Sequence, residues 1–365
     1  MNNFYYSLGL MSGTSGDGVD ASLIHTDGKN DFEVISDTYE EYPRDIYSDY
    51  HSLKPKILNI NDVKNHSKEI KNLGRKITLF SNIIIEKIKN NLPEKKRKID
   101  LIGFHGQTLL HDPNNKFSLQ IGDGELLNQI SKTKVIYNFR SNDLKNGGQG
   151  APLTPIFHKL LIDKKKINHP ISILNLGGIA NITSIDNKGE ISSSDIGPGN
   201  CLIDMWTRLN SDKYYDHEGN LARKGSINKI ILNQSLENFY DNQISSKKSF
   251  DISDFDLSFV RGLSLEDGLA TLTEFTAEIC SKKIFDKNIF TCGGGRNNLF
   301  LIERLKKKIK GKIEQIDTLG INGDFVESQA FGYLAVRSYL KLPISFPETT
   351  GCNEPCTGGV LVKNF

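Results

Sequence analysis

Tyr5-Tyr6-Ser7-Leu8-Gly9-Leu10-Met11 runs into Ser12-Gly13-Thr14-Ser15-Gly16-Asp17-Gly18 and out again through Val19-Asp20-Ala21-Ser22-Leu23-Ile24-His25. An apolar run, a small polar turn rich in glycine and a run of alternating polarity predict strand, turn, strand. The same grammar returns about 165 residues later. There Ile171-Ser172-Ile173-Leu174-Asn175-Leu176-Gly177-Gly178 leads into Ile179-Ala180-Asn181-Ile182-Thr183. The two stretches share little residue for residue, yet the recurrence predicts two related halves.

Outward from these hairpins the chain alternates strand-like and helix-like segments, which predicts an α/β fold. Residues 62–91 carry apolar side chains every third or fourth position, the spacing of a helix. Asp100-Leu101-Ile102-Gly103-Phe104 predicts a short buried strand ending in a polar loop at His105-Gly106. Lys145 to Pro152 is a loop rich in glycine. Helices are expected over 266–285 and 324–340, the second with Asp324 as N-cap and Glu327 three residues on, as in a capping box. Between them Ile289-Phe290-Thr291-Cys292 runs into Gly293-Gly294-Gly295. A chain of 365 residues exceeds what one core of about 250–300 residues usually supports, so two lobes are expected. The expected division is residues 1–132 with about 345–365 in an N-terminal lobe and 133–344 in a C-terminal lobe.

Composition excludes several classes. With 46 basic and 44 acidic side chains the net charge is +2, no field for nucleic acid or an anionic membrane. Lys95-Lys96-Arg97-Lys98 and Lys306-Lys307-Lys308 read as solvated surface. Cys201, Cys280, Cys292, Cys352 and Cys356 form no disulfide framework, and only the last two lie close in sequence, with no second pair to complete a zinc tetrahedron. No apolar stretch of about 18 residues spans a membrane, and no secretory leader opens the chain. The expected compartment is the cytoplasm.

Chemistry concentrates in the turns. In Gly13-Thr14-Ser15-Gly16-Asp17-Gly18-Val19-Asp20, glycines admit a phosphate to the backbone, hydroxyls hold its oxygens, and a carboxylate can hold Mg²⁺ through water. A plain polar hairpin turn fits equally. It is not a Walker motif, since no Gly-Lys-Ser/Thr follows. Asn175, Gly177, Gly178 and Asn181 could meet the same phosphates from the other half. Gly293, Gly294, Gly295 and Asn297 could pack a flat ligand against bare backbone. Asp195, before Gly197-Pro198-Gly199, suits a general base, a metal ligand or a turn former. His105, Gln107, Arg140, Asn142 and Asp143 could bind sugar hydroxyls or an acid group; singly, each is as well explained as a structural hydrogen-bonder. His111, His158 and His217 have no metal spacing.

Gly9 to Asp20 closely resembles the opening signature of the anhydro-N-acetylmuramic acid kinases. Gly103 to Thr108, Gln120 to Asp123, Asn138 to Arg140 with Asp143, Gly148 to Leu153, Asn175 to Thr183, Asp195 to Asn200, Gly293 to Asn298 and Glu327 to Phe331 fit in the same order. The likeness runs from residue 8 to about 337. Ile196 stands where the family usually has Thr, and the segment from Cys352 to Phe365 matches more loosely.

The resemblance implies a two-lobed actin-like ATPase fold, ribonuclease H-like in each lobe, around a central cleft. It implies use of ATP and Mg²⁺ to open 1,6-anhydro-N-acetylmuramic acid with water and phosphorylate its 6-oxygen, in peptidoglycan recycling. On this reading Ser12 to Val19, Asn175, Gly177, Gly178, Asn181, Gly293, Gly294, Gly295 and Asn297 hold nucleotide. Asp17 and Asp20 serve the metal. His105, Gln107, Arg140, Asp143 and Asp195 hold sugar. Asp195 matches the catalytic base, and Glu327 is either a second carboxylate near the water or a helix cap. The family also suggests a homodimer. Two other readings are a kinase for a different amino sugar or sugar acid, and an actin- or chaperone-like ATPase whose output is conformational. The first differs in not consuming one water per phosphate transferred. The second predicts ATP hydrolysis indifferent to sugar, and the chain leaves no stretch for the partner-binding domain it would need.

Overall fold

The computed structural model describes residues 3–93, 98–241 and 249–362. The run Lys95-Lys96-Arg97 lies outside them. The chain forms two compact units, residues 1–167 with 325–365, and residues 168–324.

Unit 1 contains β1 (Tyr5–Ser12), β2 (Gly18–Thr26), β3 (Phe32–Glu41), α1 (Arg44–Leu53), α2 (Ile60–Asn65), α3 (Ser67–Asn91), β4 (Leu101–Asp112), β5 (Phe117–Ile121), α4 (Gly124–Ser131), β6 (Lys134–Tyr137), α5 (Ser141–Lys145) and α6 (Pro155–Lys164). Unit 2 contains β7 (Ile171–Leu176), β8 (Ile179–Ile185), β9 (Ile191–Pro198), α7 (Cys201–Asn210), α8 (Lys229–Asp241), α9 (Leu265–Ser281), β10 (Asn288–Cys292), α10 (Leu299–Lys308) and β11 (Lys312–Gln315). The chain then returns to unit 1 with α11 (Val326–Tyr339), α12 (Pro347–Thr350) and β12 (Val360–Val362).

The two sheets share one plan. In unit 1 the order is β12-β6-β4-β1-β2-β3, with β5 added beside β4. β1, β2 and β3 pair antiparallel, while β4 runs parallel to β1 and β6 parallel to β4. In unit 2 the order is β11-β10-β7-β8-β9. There β7, β8 and β9 pair antiparallel, and β10 and β11 follow parallel. Each unit therefore repeats the ribonuclease H-like order 3-2-1-4-5. The halves legible in sequence are two copies of one topology, and each begins with a hairpin that carries a glycine-rich turn.

Local sequence explains the helices. Asn59 accepts from the backbone N–H of Asn61 and Asp62 to open α2, and Asp62 closes a capping box. Along α3, Leu73, Ile77, Ile84, Ile85 and Ile88 are buried at helical spacing in the unit 1 core. Ser264 caps α9 and Asn298 caps α10. The core of unit 2 forms between its sheet, where Leu174, Leu176 and Ile182 are buried, and α9 and α10, which add Ala277, Cys280, Leu301 and Leu305.

Two expectations change. Residues 133–167 and 325–344 belong to unit 1, not to the C-terminal lobe, because β6 pairs with β4 and α11 lies directly on the sheet. That approach is close enough to require glycine. A Cβ on Gly9 would fall 1.9 Å from the Ser328 carbonyl oxygen, and one on Gly103 2.2 Å from that of Phe331. The N-cap of α11 is Phe325, without a side-chain cap, rather than Asp324. Asp324 instead receives Arg296, whose Nη2 donates to its Oδ2 at 3.0 Å.

Candidate functional site

The first turn, between β1 and β2, is braced from below and open above. Gln107 Nε2 donates to the Gly13 carbonyl at 2.8 Å, Tyr42 hydroxyl shares a hydrogen bond with Ser12 Oγ at 2.8 Å, and the same tyrosine reaches Gln107 Oε1 at 3.4 Å. A Cβ on Gly13 would meet nothing nearer than Ser15 Oγ at 3.6 Å. The backbone there is half-buried, and no packing contact requires the glycine. Gly16 differs: its φ is +64° and the Tyr50 ring fills the place of a side chain. Gln107 was expected to hold sugar. Its amide also braces the turn, through Gly13 and Tyr42. Tyr42 carried no signal in sequence, since its contact to Gln107 spans 65 residues.

Acidic groups crowd one side of this hairpin. Asp17 accepts from Ser15 Oγ at 2.7 Å. The Tyr39 phenol is pushed well above its usual range by burial, and then by the charges of Asp17, Glu41 and Asp20. Among the described residues these carboxylates do not converge on one point as three-ligand groups do. The donor set fits a divalent cation held largely through water rather than in a protein cage.

His105 and Gln107 were expected beside a loop. They lie within β4, which continues to Asp112 past an irregularity where it leaves β1 and takes up β5. His105 is buried. Its Nδ1 lies 2.7 Å from the Gly106 carbonyl and its Nε2 lies 3.0 Å from Arg140 Nη2. The ring therefore donates through Nδ1 and accepts through Nε2, a neutral tautomer. Burial, then the Arg140 charge, lowers its pKa to about 3. His105 positions the guanidinium and cannot shuttle protons near neutrality. Arg140 Nη1 also donates to the Gly150 carbonyl at 3.0 Å. Asp143 is fully buried. Its Oδ2 accepts from the Gly150 N–H and its Oδ1 from Thr350 Oγ1, both at 2.6 Å. It orders the loop behind Arg140.

In unit 2, three turns converge. The N–H groups of Gly199 and Asn200 donate to the carbonyls of Gly178 and Gly177, each at 2.9 Å. A Cβ on Gly199 would sit 2.1 Å from the Gly177 oxygen, and one on Gly295 2.8 Å from Asn200 Nδ2. By contrast Gly294 has open space where a side chain would be. The side-chain oxygens of Asn181 and Asn200 are buried with no hydrogen-bond partner among the described residues. Leaving such a group unpaired costs about 1–3 kcal/mol, and each oxygen can take a hydrogen bond only from a donor. In sequence Asn200 stands only as the end of the Asp195 to Asn200 motif, with no role of its own.

Arg296 holds the third turn. Its guanidinium donates to Asp317 at 2.7 and 3.1 Å, to Asp324, and to the Gly293 carbonyl at 3.2 Å. Burial opposes its charge, but the two carboxylates outweigh burial and raise its pKa. Asn297 Nδ2 reaches Asp324 at 3.5 Å.

Asp195 lies inside β9, opposite Asn181, where the β8 register shifts. It is largely buried, and its Oδ2 accepts from the Phe250 N–H at 2.9 Å. Ile196 turns the other way, into the core with Leu174 and Cys280. The unusual residue beside Asp195 is thus a packing residue. Glu327 stands in the first turn of α11, where a carboxylate complements the helix dipole.

No helix among the described residues is long and apolar enough to cross a membrane. The family model for anhydro-N-acetylmuramic acid kinase matches residues 5–364. Proteins of that name from Pelagibacter ubique (strain HTCC1062) and Zymomonas mobilis subsp. mobilis (strain ATCC 31821 / ZM4 / CP4) are 50% and 37% identical to this chain. The alignments cover 100% of both chains in the first case, and 97% of this chain and 98% of the other in the second. A third, from Rhizorhabdus wittichii, is 38% identical over 97% of this chain and 98% of its own. The chain belongs to the anhydro-N-acetylmuramic acid kinase family.

Proposed function

We propose that this chain opens 1,6-anhydro-N-acetylmuramic acid with water and phosphorylates it from ATP, with the steps divided among the turns described above. The observation that carries the reading is the paired hairpin: each unit begins its sheet with a glycine-rich turn. In unit 1 the turn is bare at Gly13; in unit 2 it adjoins the unpaired amides of Asn181 and Asn200. Backbone N–H groups and hydroxyls suit phosphate oxygens, and the Asn181 and Asn200 oxygens, as acceptors, suit a hydroxyl or a water. Asn175, Gly177, Gly178 and the Ser12 to Val19 turn take the phosphates. Gly293, Gly294, Gly295 and Asn297 take the nucleoside. Asp17 and Asp20 would hold Mg²⁺ through water, and the ion would supply neutralisation of phosphate charge. Arg140, held by His105 and ordered by Asp143, binds the sugar's acid group, as a guanidinium suits a carboxylate.

Asp195 takes a proton from water as the water oxygen bonds to the anomeric carbon. The bond from that carbon to the 6-oxygen breaks. The freed 6-oxygen attacks the γ-phosphorus, and the bond to ADP breaks in turn. Glu327 is the second carboxylate offered to the water. ATP as substrate and five buried free thiols support a cytoplasmic setting.

The test is a coupled ATPase assay on amino sugars with and without the anhydro bridge, run in ¹⁸O-water. The expected result is sugar-dependent ADP release, greatest with the bridged sugar, with the label at the anomeric carbon and not in the phosphate. Equal turnover with open sugars and no label would point to an ordinary sugar kinase. ADP release unaffected by any sugar would point to a conformational ATPase.

A further inference from the structure

Behind the Arg140 loop, unit 1 gathers three metal-ligating side chains from distant parts of the chain. Asp143 of α5 meets Cys352 and Cys356, and one ligand atom from each lies within 4.8 Å of the others. All three residues are buried: Asp143 is 1% exposed, Cys352 2% and Cys356 5%. In sequence only the two cysteines were visible as a pair, and the missing ligands argued against a site. The fold supplies the third.

The scaffold is well built. Cys356 pairs with Ser345 across a backbone bridge, its N–H donating to the Ser345 carbonyl at 3.0 Å. The Asn353 N–H donates to the Asn146 carbonyl at 3.0 Å, the Gln149 N–H to the Thr350 carbonyl at 2.9 Å, and Asn142 Nδ2 to the Thr357 carbonyl at 2.6 Å. The segment 345–357 is thus laced around α5 and the loop after it. Asp143 uses one lone pair on each oxygen for Gly150 and Thr350, which leaves each oxygen a second. Burial pushes the Cys356 thiol up to about 11, an effect the wholly buried Ser345 hydroxyl beside it partly offsets, and the thiol donates to the Glu354 carbonyl at 3.2 Å. In a tetrahedral zinc site with metal–sulfur distances of about 2.3 Å, ligand atoms sit about 3.5–4 Å apart. The present spacing needs little closure. Asn353, Glu354 and Pro355, between the two cysteines, are exposed.

We propose that Asp143, Cys352 and Cys356 form a structural site for a thiophilic divalent cation, Zn²⁺ above all, with water in the fourth position. The ion fastens segment 345–357 to α5, three residues from Arg140. The site shares Asp143 with the ordering of Arg140, but its formation does not require the phosphoryl-transfer reading to hold. Its formation releases thiol protons, so affinity rises with pH.

The test uses the full chain, reduced and freed of metal, titrated with Co²⁺ and then Zn²⁺. The expected result is one equivalent of Co²⁺ giving thiolate-to-cobalt charge-transfer and tetrahedral visible bands, both displaced by Zn²⁺. Cys352→Ser with Cys356→Ser should abolish the bands. Zn²⁺ should raise the melting temperature of the unaltered protein and not of the double variant. Should the double variant fail to fold, alkylation of the unaltered protein in partial urea decides the matter. Zn²⁺ should then protect Cys352 and Cys356 and leave Cys201, Cys280 and Cys292 as reactive as before. Absence of the bands, their persistence in the double variant, or uniform protection of all five thiols overturns the proposal. So does a disulfide between Cys352 and Cys356 that forms in air and leaves no metal uptake after reduction.

Discussion

Asp195 and His105 illustrate two fates of a titratable side chain taken from water. Asp195 keeps one oxygen on the Phe250 N–H, and an Asn can accept the same bond while losing the ability to take a proton. Asp195→Asn should therefore fold normally and lose about 10²–10⁴-fold in turnover, the usual worth of a general base, with a much smaller change in sugar affinity. Turnover, affinity and melting temperature measured together separate the roles. Rescue by excess Mg²⁺ would indicate a metal ligand, and lost stability with normal turnover a turn former. His105 and His158 have the opposite logic. Burial lowers both to about 3, with Arg140 adding to the effect at His105. Between pH 6.5 and 3 the unfolded chain binds more protons at these sites than the folded one. Stability from them is complete above about pH 6.5 and is lost as pH falls toward 3. Each contributes a slope of up to about 1.4 kcal/mol per pH unit within that window. Thermal melts from pH 7 to 4 should show this fall, and His158→Gln should flatten it. An unchanged slope in that variant would mean His158 is protonated in the folded state.

At the scale of elements, the glycine-rich turns divide into those that pack and those that present backbone. Gly199 and Gly295 have protein where a side chain would be, whereas Gly13 has only the Ser15 hydroxyl at ordinary contact distance. Gly13→Val should therefore leave the melting temperature within about 2 °C, a surface-like change of less than about 0.5 kcal/mol. Nucleotide affinity should fall at least about tenfold, a cost of about 1.4 kcal/mol when the phosphate is pushed from the backbone. Calorimetric titration with a non-hydrolysable ATP analogue reads the affinity directly. Unchanged affinity in a folded variant would remove this turn from the nucleotide site.

At the scale of the whole molecule, unit 2 is an insertion between two parts of unit 1. α11 lies after the insertion but on the unit 1 sheet, where it buries Val326, Phe331, Tyr333, Leu334 and Val336. At about 1.5–3 kcal/mol for each large apolar side chain, that burial is comparable with the roughly 5–15 kcal/mol that holds a whole domain. A chain ending at Asp324 should lose cooperative folding of unit 1 while keeping that of unit 2. Hydrogen exchange resolved by peptide would then show protection over 171–315 and none over 5–26. Protection retained in β1 and β2 would mean that the sheet stands without its helix.

The sequence by itself determined the features written in short-range patterns. Alternation and apolar runs located β1, β2, β7, β8 and β10. Helical spacing located α3 and α9, and the recurrence of a strand and glycine turn foretold two copies of one topology. Chain-long motif likeness carried the family. These follow from backbone sterics and from side-chain periods of 2 and 3.6 residues, which act within a few positions. Tertiary structure decided what depends on distant partners. It placed β6 and α11 in unit 1, drew Asp324 away from its helix to Arg296, and set the Gln107 amide against the Gly13 carbonyl. It also brought Asp143 to two cysteines more than two hundred residues away. Neither a boundary, nor the direction of an amide, nor a third ligand leaves a trace in local spacing, because each is settled by which surfaces are buried together.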